Sequence, residues 1–417
     1  MKTFEPKILT SLNGYKTADY VRDIIAGIIV AIIALPLSIA LAIASGVSPE
    51  KGLYTAIFAG FVISLFGGSK VNISGPTAAF ATIVAGIVAT HGIEGLATAT
   101  VMAGLMLIIM GLCRVGSLIK YIPSSITTGF TSGIAVTIAV GQIKDFLGIT
   151  FPEGTHAIET MEKLKAVITS FSTFGIHALL VGLVSVAILV LWPKVSKKIP
   201  ASLIAVIFGV ALVKLLPLNV YTIGDLYEVP SKIPTPALPD FSIETVKNLI
   251  SPAFTIAILA GVESLLSCVV SDSMIDDRHN SNQELVAQGL GNISSGIFGG
   301  IPATGAIART AANVKNGGRS PISGIVHAIV LFLVLIVLMP YASLIPMPTI
   351  AAILFVVAYN MSEWRHFVKI TKTAPICDVL VLFVTFVLTV VFDLVVAIEA
   401  GLILHYGIKL IKKLIKK

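Results

Sequence analysis

Long stretches without a single charge recur along the chain, separated by short polar segments. The first set covers residues 24–45, 52–66, 71–93, 95–113, 121–143, 166–192 and 200–213. A second set covers 249–271, broken only by Glu263, then 285–308, 320–362, and 379–408, which Asp393 and Glu399 interrupt. A full helical crossing of a bilayer needs about 20 apolar residues, and shorter helical pieces persist at depth only where they line a cavity. The 320–362 stretch is long enough for two crossings. The pattern therefore predicts about fourteen crossings in two sets of about seven.

Two runs inside these windows break the pattern in the same way. Ser74-Gly75-Pro76-Thr77-Ala78-Ala79 and Ile301-Pro302-Ala303-Thr304-Gly305-Ala306 share a vocabulary of Pro, Thr, Gly and Ala. Proline at or just before a first helical turn, followed by small residues, reads as a helix start, and the first N–H groups of a helix have no partner within it. With seven crossings per set, an odd number, the second set enters the membrane from the opposite side. The two starts then face each other near the midplane, each with a partial positive charge, as in the anion sites of secondary transporters. The hydroxyls of Ser74, Thr77 and Thr304 add donors. The plainer alternative is that Pro and Gly merely kink packed helices.

Composition supports the membrane setting. At 56% hydrophobic and 12% charged, with mean hydropathy +0.96, the chain has too little polar surface for a soluble globule of its length. Its net charge of +7 does not imply nucleic acid, because the basic residues fall in short segments between apolar spans. Lys2, Lys7, Lys16 and Arg22 precede the first span, and Arg114 with Lys120, Lys194 with Lys197 and Lys198, Lys315 with Arg319, and Arg365, Lys369 and Lys372 follow even-numbered ones. These loops and both termini are expected to be cytoplasmic. The acidic loop 272–284 runs against this rule. The three cysteines, Cys113, Cys268 and Cys377, show no metal-like spacing, so no metal or cofactor is expected. Residues 1–20 contain no apolar core, so no cleavable signal peptide is expected. A phosphate-binding Gly-x-x-x-x-Gly-Lys-Ser/Thr motif is absent, which argues against an ATP-driven pump.

Ionisable groups inside apolar segments are costly and are therefore functional candidates. Glu263, among small residues in a charge-free helix, is the strongest, as a site of proton uptake. Arg309, one to two turns beyond the second helix start, offers a permanent positive charge to an anion. Each has a structural alternative: a Glu263 bound to an adjacent backbone group or paired with Arg309, or an arginine that snorkels to the surface. His91 reads as the external end of the third segment, His327 as a hydrogen-bonded packing residue, Asp393 as an external turn and Glu399 as a packing or partner-pair residue. Gly27, Gly60, Gly104 and Gly111 suit close helix packing.

Several strings are more specific. Ala34-Leu35-Pro36-Leu37-Ser38, Pro49-Glu50-Lys51-Gly52-Leu53-Tyr54, Ile73-Ser74-Gly75-Pro76-Thr77, Gly261-Val262-Glu263-Ser264-Leu265-Leu266-Ser267, Asn282-Gln283-Glu284-Leu285, Gln288-Gly289-Leu290-Gly291-Asn292 and Gly299-Gly300-Ile301-Pro302-Ala303-Thr304-Gly305, with Arg309-Thr310, resemble the SulP family of anion transporters, bacterial relatives of solute carrier family 26. The resemblance covers essentially the whole chain. It implies an all-α polytopic membrane protein of about fourteen segments in two inverted seven-segment repeats, with short strands preceding two half-helices that meet at the midplane. It also implies a core unit moving against a gate unit, and usually a homodimer. Most members carry a C-terminal STAS domain, whereas this chain ends at Lys417 after a basic stub. Sodium-coupled bicarbonate members have an aspartate where this chain has Glu263.

The expected organisation is thus a first repeat over 1–217, an external linker over 218–248, a second repeat over 249–408 and a basic tail over 409–417. The expected substrate contacts are Ser74, Pro76, Thr77, Ala78, Ala303, Thr304, Gly305, Ala306 and Arg309, with Glu263 binding the coupling ion. The expected activity is alternating-access symport of a small inorganic oxyanion, sulfate first, with protons. Alternatives are sodium-coupled bicarbonate or dicarboxylate transport, an uncoupled anion channel or exchanger, and a nucleobase transporter, which Arg309 disfavours.

Overall fold

The computed structural model describes residues 4–117, 123–152, 155, 157, 159–196, 199–392 and 394–415. Lys2, Lys120, Lys197, Lys198, Asp393 and the last two lysines lie outside the described residues. The chain is nearly all helical. A short α1 (Lys7–Ser11) leads into α2 (Thr17–Ala44), then α3 (Pro49–Tyr54), which runs through a π-turn at Thr55–Ala59 into α4 (Gly60–Phe66). After the two-residue strand β1 (Ser74–Gly75) come α5 (Ala81–Leu112), α6 (Ser124–Leu147), α7 (Thr160–Thr169), α8 (Ile176–Val195), α9 (Ala201–Leu215) and α10 (Ile223–Leu226). The second half holds α11 (Ile243–Ile275), α12 (Ser281–Ile297), β2 (Thr304–Gly305), α13 (Ile307–Lys315), α14 (Ile322–Val337), α15 (Met339–Ala342), α16 (Met347–Met361), α17 (Trp364–Thr373), α18 (Ile376–Val391) and α19 (Leu394–Ile415).

Sequence marks most of the breaks. Gly92 takes φ +67° inside α5, a conformation open to glycine, and splits that helix where the third and fourth windows meet. His91, next to it, is exposed. Ser242 accepts the Thr245 N–H at 3.3 Å and so starts α11 at Ile243, within the stretch expected to be linker. The rest of that stretch is tied down: Tyr54 donates to the Lys232 carbonyl at 3.1 Å, Thr98 to the Asp240 carbonyl at 3.1 Å, and the Ala237 N–H to the Ile297 carbonyl at 2.9 Å.

The helices pack as two groups. In one, α5 lies against α11 and α12, with α2, α4, α13 and α14 around them; in the other, α6 packs on α16 and α18, with α8, α9 and α19 outside. The seam runs where α2 meets α9 and α16. Inside the first group the helices touch backbone to backbone. A Cβ added at Gly104 would lie 2.6 Å from the Gly289 carbonyl, and one at Gly289 would lie 2.5 Å from the Gly104 carbonyl. Lipid supplies no hydrophobic drive between helices, so such close approach carries much of the association.

The acidic loop that defies the charge rule is neutralised locally. Asp277 pairs with Lys7 at 3.2 Å and Lys70 at 3.3 Å, which also places the first residues beside the 276–280 turn. Burial by itself raises the Asp277 pKa, but the Arg278 N–H and the two lysines outweigh it and hold the carboxyl below its ordinary value. A depressed carboxylate pKa contributes stability that is present at neutral pH and lost as pH falls through the folded-state value. Asp277→Asn is therefore expected to lower the unfolding free energy by about 1 kcal/mol or less at neutral pH, with the difference vanishing in acid, as read from thermal unfolding in detergent across pH.

Candidate anion site

Two chain segments turn back into the protein without helical structure. Beyond α4 the chain passes through 67–73 to β1, Pro76 and Thr77, and a 3-10 turn at Ala78–Phe80 opens α5. Beyond α12 it turns at Gly299, where φ is +71°, and passes through 300–303 to β2, Ala306 and α13. β1 and β2 pair antiparallel, Ser74 opposite Gly305 and Gly75 opposite Thr304. The Ala306 N–H continues the ladder to the Ile73 carbonyl at 2.8 Å. Because the strands are antiparallel, the two following helices leave the pair in opposite directions with their starts side by side.

The second start differs in detail from the sequence expectation. Thr304 and Gly305 are strand, and α13 begins only at Ile307. Arg309 therefore sits in the first turn of α13 rather than one to two turns into it.

A cavity of about 280 Å³ lies between the two helix groups and is lined by Pro76, Thr77, Ala78, Glu263, Gly305, Ala306 and Arg309, facing Leu37, Leu41, Phe130 and Asn360. Seven of the ten expected site residues thus meet there. Ser74, Ala303 and Thr304 are buried in the arms behind it. The Ser74 hydroxyl accepts from Gln288 Nε2 at 2.9 Å, and Thr304 donates to the Ala260 carbonyl at 2.9 Å. Their side chains hold the arms in place; Thr77 is the hydroxyl at the cavity.

Glu263 and Arg309 do not form the pair that sequence left open. The Glu263 carboxylate accepts the Thr77 hydroxyl at 3.0 Å. Arg309 is 1% exposed, so it does not snorkel; its Nη2 donates to the Pro76 carbonyl at 2.7 Å. Its Nε and Nη1 have no protein partner. Arg309 thus ties the second half-helix to the lead-in of the first and keeps donors to spare. The guanidinium also crosses Gly75, where an added Cβ would lie 2.5 Å from Nη1. In this position only glycine leaves it room. Together, two helix N-termini, an arginine and a hydroxyl form an electropositive surface suited to a small anion, while Glu263 adds a titratable group at its edge.

The arms are held by a polar network to which the sequence assigned no role, although most of its members fall within the strings that resemble the family. Glu284, assigned to the acidic loop, is buried at the start of α12. Its Oε2 accepts the N–H groups of Gly68 and Ser69 at 2.9 and 3.2 Å, and its Oε1 accepts Asn72 Nδ2 and Gln288 Nε2 at 2.7 and 3.0 Å. Asn72 Oδ1 in turn accepts from Ser267 and Thr310, and Thr310 accepts the Ile73 N–H at 3.0 Å. On the other arm Asn292 exchanges both its amide hydrogen bonds with Ala303, each 2.9 Å, as a strand partner would. One signal was available: Glu284, Gln288, Asn292 and Ser295 fall at i, i+4, i+8 and i+11, a polar stripe on one helix face. Glu284→Ala would strand four buried donors. With each costing about 1–3 kcal/mol, it is expected to destabilise by at least 3 kcal/mol, read as a fall in the unfolding midpoint in detergent. Glu284→Gln is expected to be nearly as damaging, since its NH₂ would face donors.

His327 is buried, as expected of a packing residue, and its Nε2 has no protein partner. Glu399 lies on an exposed face of α19.

A second cavity of about 280 Å³ lies in the same seam beyond the first helix start, lined by Ala79, Thr82, Thr90, Ile134, Thr137, Ser251, Thr255, Thr389 and Phe392. The two cavities are lined by neighbouring residues of the same elements: Ala78 and Phe130 line the first, Ala79 and Ile134 the second.

These features define an all-α polytopic membrane protein with two broken helices facing one cavity. The chain belongs to the sulfate permease family, which it matches over residues 21–385, a family of anion transporters rather than enzymes. It is 44% identical over 395 residues to the Bacillus subtilis (strain 168) protein named "Putative sulfate transporter YvdB", covering 94% of this chain and 74% of that one. It is 34% identical over 369 residues to the bicarbonate transporter BicA of Picosynechococcus sp. (strain ATCC 27264 / PCC 7002 / PR-6), covering 86% of this chain and 64% of that longer protein. The solved transmembrane domain of a cyanobacterium bicarbonate transporter BicA matches with a TM-score of 0.83 at 32% identity, over 92% of this chain and 98% of that one.

Proposed function

We propose that this protein is a secondary active transporter that carries a small inorganic oxyanion, sulfate first, into a bacterial cell together with protons. The observation that carries this reading is the convergence of both half-helix starts, Arg309 and the Thr77–Glu263 hydrogen bond on one cavity. The anion binds at Thr77, Ala78, Ala306 and Arg309; Glu263 carries the coupling proton. A neutral Glu263 would leave the site more positive and so favour a doubly charged anion, which is the physical basis of coupling. Two cavities between the same two helix groups, lined by neighbouring residues of the first half-helix start and of α6, support alternating access. In this reading the two helix groups are the moving core and the gate, the halves are inverted repeats, both termini are cytoplasmic and the working unit is a homodimer.

A second reading, bicarbonate transport coupled to sodium, is favoured by the similarity to the BicA proteins. Uptake of labelled sulfate, bicarbonate and dicarboxylates into proteoliposomes, with proton and sodium gradients imposed separately, discriminates the two. Sulfate accumulation driven by a proton gradient alone is the expected result; bicarbonate accumulation driven only by sodium would overturn it.

A further inference from the structure

The loop between α16 and α18 carries Arg365, Lys369 and Lys372, and the structure folds it into an amphipathic helix, α17. Three stripes run along it. Phe367 and Ile370 face the protein: the Phe367 ring sits 5.5 Å from both Phe383 and Phe386 of α18, and Ile370 is buried. Trp364 and Val368, one turn apart, are exposed apolar residues at 47% and 37%. Arg365, Lys369 and Lys372, at i, i+4 and i+7, are exposed on the remaining face. A protein-facing stripe, an apolar exposed stripe and a basic stripe in succession suit a helix lying in the plane of a membrane surface, with the tryptophan at headgroup depth.

α17 also adjoins the mouth of the transport cavity. Asn360 and Glu363 line both that cavity and a shallow surface groove of about 490 Å³ formed with Tyr359, Trp364, Arg365 and His366. Glu363, the residue preceding α17, has φ +44°, a left-handed conformation that a glutamate adopts only under constraint.

We propose that α17 is a binding surface for anionic phospholipid, and that headgroups engaging Arg365, Lys369 and Lys372 hold α17 against the membrane and thereby set the position of Glu363 at the cavity mouth. Charge complementarity argues for the lipid. The inner leaflet is negative, each Lys or Arg near it adds attraction, and the apolar stripe beside the basic one stays exposed, even though the Trp364 Nε1–H donates to the Tyr359 hydroxyl at 3.2 Å and the Arg365 guanidinium lies over the indole ring. This inference rests on the proposed orientation, with α17 on the cytoplasmic side, but not on the identity of the anion.

The test compares anion uptake by the full chain in vesicles of phosphatidylcholine alone and of phosphatidylcholine with phosphatidylglycerol. Uptake is expected to be at least about threefold faster with the anionic lipid, and the dependence is expected to disappear in Arg365→Gln/Lys369→Gln/Lys372→Gln while uptake in phosphatidylcholine alone is unchanged. Equal rates in both vesicles, or a variant that keeps the lipid dependence, would overturn the proposal. So would a variant whose KM for the anion rises equally in phosphatidylcholine, since the charges would then steer substrate rather than bind lipid. A second measurement does not depend on transport. The chain has two tryptophans, so Trp192→Phe leaves Trp364 alone, and its fluorescence is expected to be quenched by brominated lipid more strongly when phosphatidylglycerol is present. Quenching by aqueous iodide only, or shielding from both quenchers as a second protein copy would produce, would overturn the lipid assignment. Failure of all anion uptake with the lipid-dependent quenching intact would instead count against the proposed function.

Discussion

Glu263→Gln is expected to abolish proton-driven accumulation while leaving exchange of labelled for unlabelled anion intact. For a carrier moving one proton per cycle, a pH difference of one unit supports about tenfold accumulation, the equivalent of about 1.36 kcal/mol. The variant should hold that ratio near one under the same gradient. The amide is close in size to the acid and can still accept the Thr77 hydroxyl that now bonds Glu263 at 3.0 Å, so the half-helix start should keep its place. Retained accumulation in Glu263→Gln would remove Glu263 from the coupling role. Loss of exchange as well as accumulation would make it a structural brace of Thr77 instead. Glu263→Asp is the informative companion: a shorter carboxylate that restored sodium-driven rather than proton-driven uptake would show that this one position selects the coupling ion.

Arg309→Ala is expected to raise the anion KM by about 10- to 100-fold, because a hydrogen bond to a charged group contributes about 1.5–3 kcal/mol. The substitution also frees the Pro76 carbonyl, which Arg309 now holds at 2.7 Å, so part of the loss would come from a loosened lead-in to the first half-helix. Two further measurements separate these effects. Arg309→Lys keeps the charge but not the planar fork of donors, and an intermediate KM is expected. The unfolding midpoint of Arg309→Ala in detergent reports the bracing role alone. Unchanged anion affinity with a lowered midpoint would make Arg309 purely a brace. Gly75→Ala should reproduce the affinity loss with the arginine present, since its Cβ would fall 2.5 Å from Arg309 Nη1 and push the guanidinium aside.

Much of the site was legible because lipid makes certain residues conspicuous. Glu263 and Arg309 stood out as charges in apolar windows, and the Pro-Thr runs as helix starts where hydrocarbon forbids bare N–H groups. Glu284 was read as a loop charge because charge counting along the chain placed it in the acidic segment; the polar stripe it starts on α12 marks a face, but not that this carboxylate accepts from Gly68 and Ser69. Gln288, Asn292 and Thr310 fall in strings that resemble the family, yet neither they nor Asn72 showed what they bond; their partners lie up to 238 residues away. Ser74 and Thr304 were assigned to the substrate for their hydroxyls, yet those hydroxyls face Gln288 and Ala260. Which way a hydroxyl points depends on neighbours that spacing along the chain does not name.

The sequence by itself determined the membrane setting, the placing of most helices and breaks, and, to within a few residues, where two helices start within apolar stretches. Those follow from the transfer of apolar and polar groups between water and lipid, a property of composition over short windows. Only the tertiary structure decided that β1 pairs with β2 in one register, that Thr77 rather than Arg309 holds Glu263, that Arg309 crosses Gly75 to Pro76, and that α17 stands exposed beside the cavity mouth. Strands of two residues have too little local preference to specify a partner. Their pairing is set by the packing of α5, α11, α12 and α13 around them and by the buried carboxylate and amides that occupy the backbone groups lipid would otherwise leave unpaired.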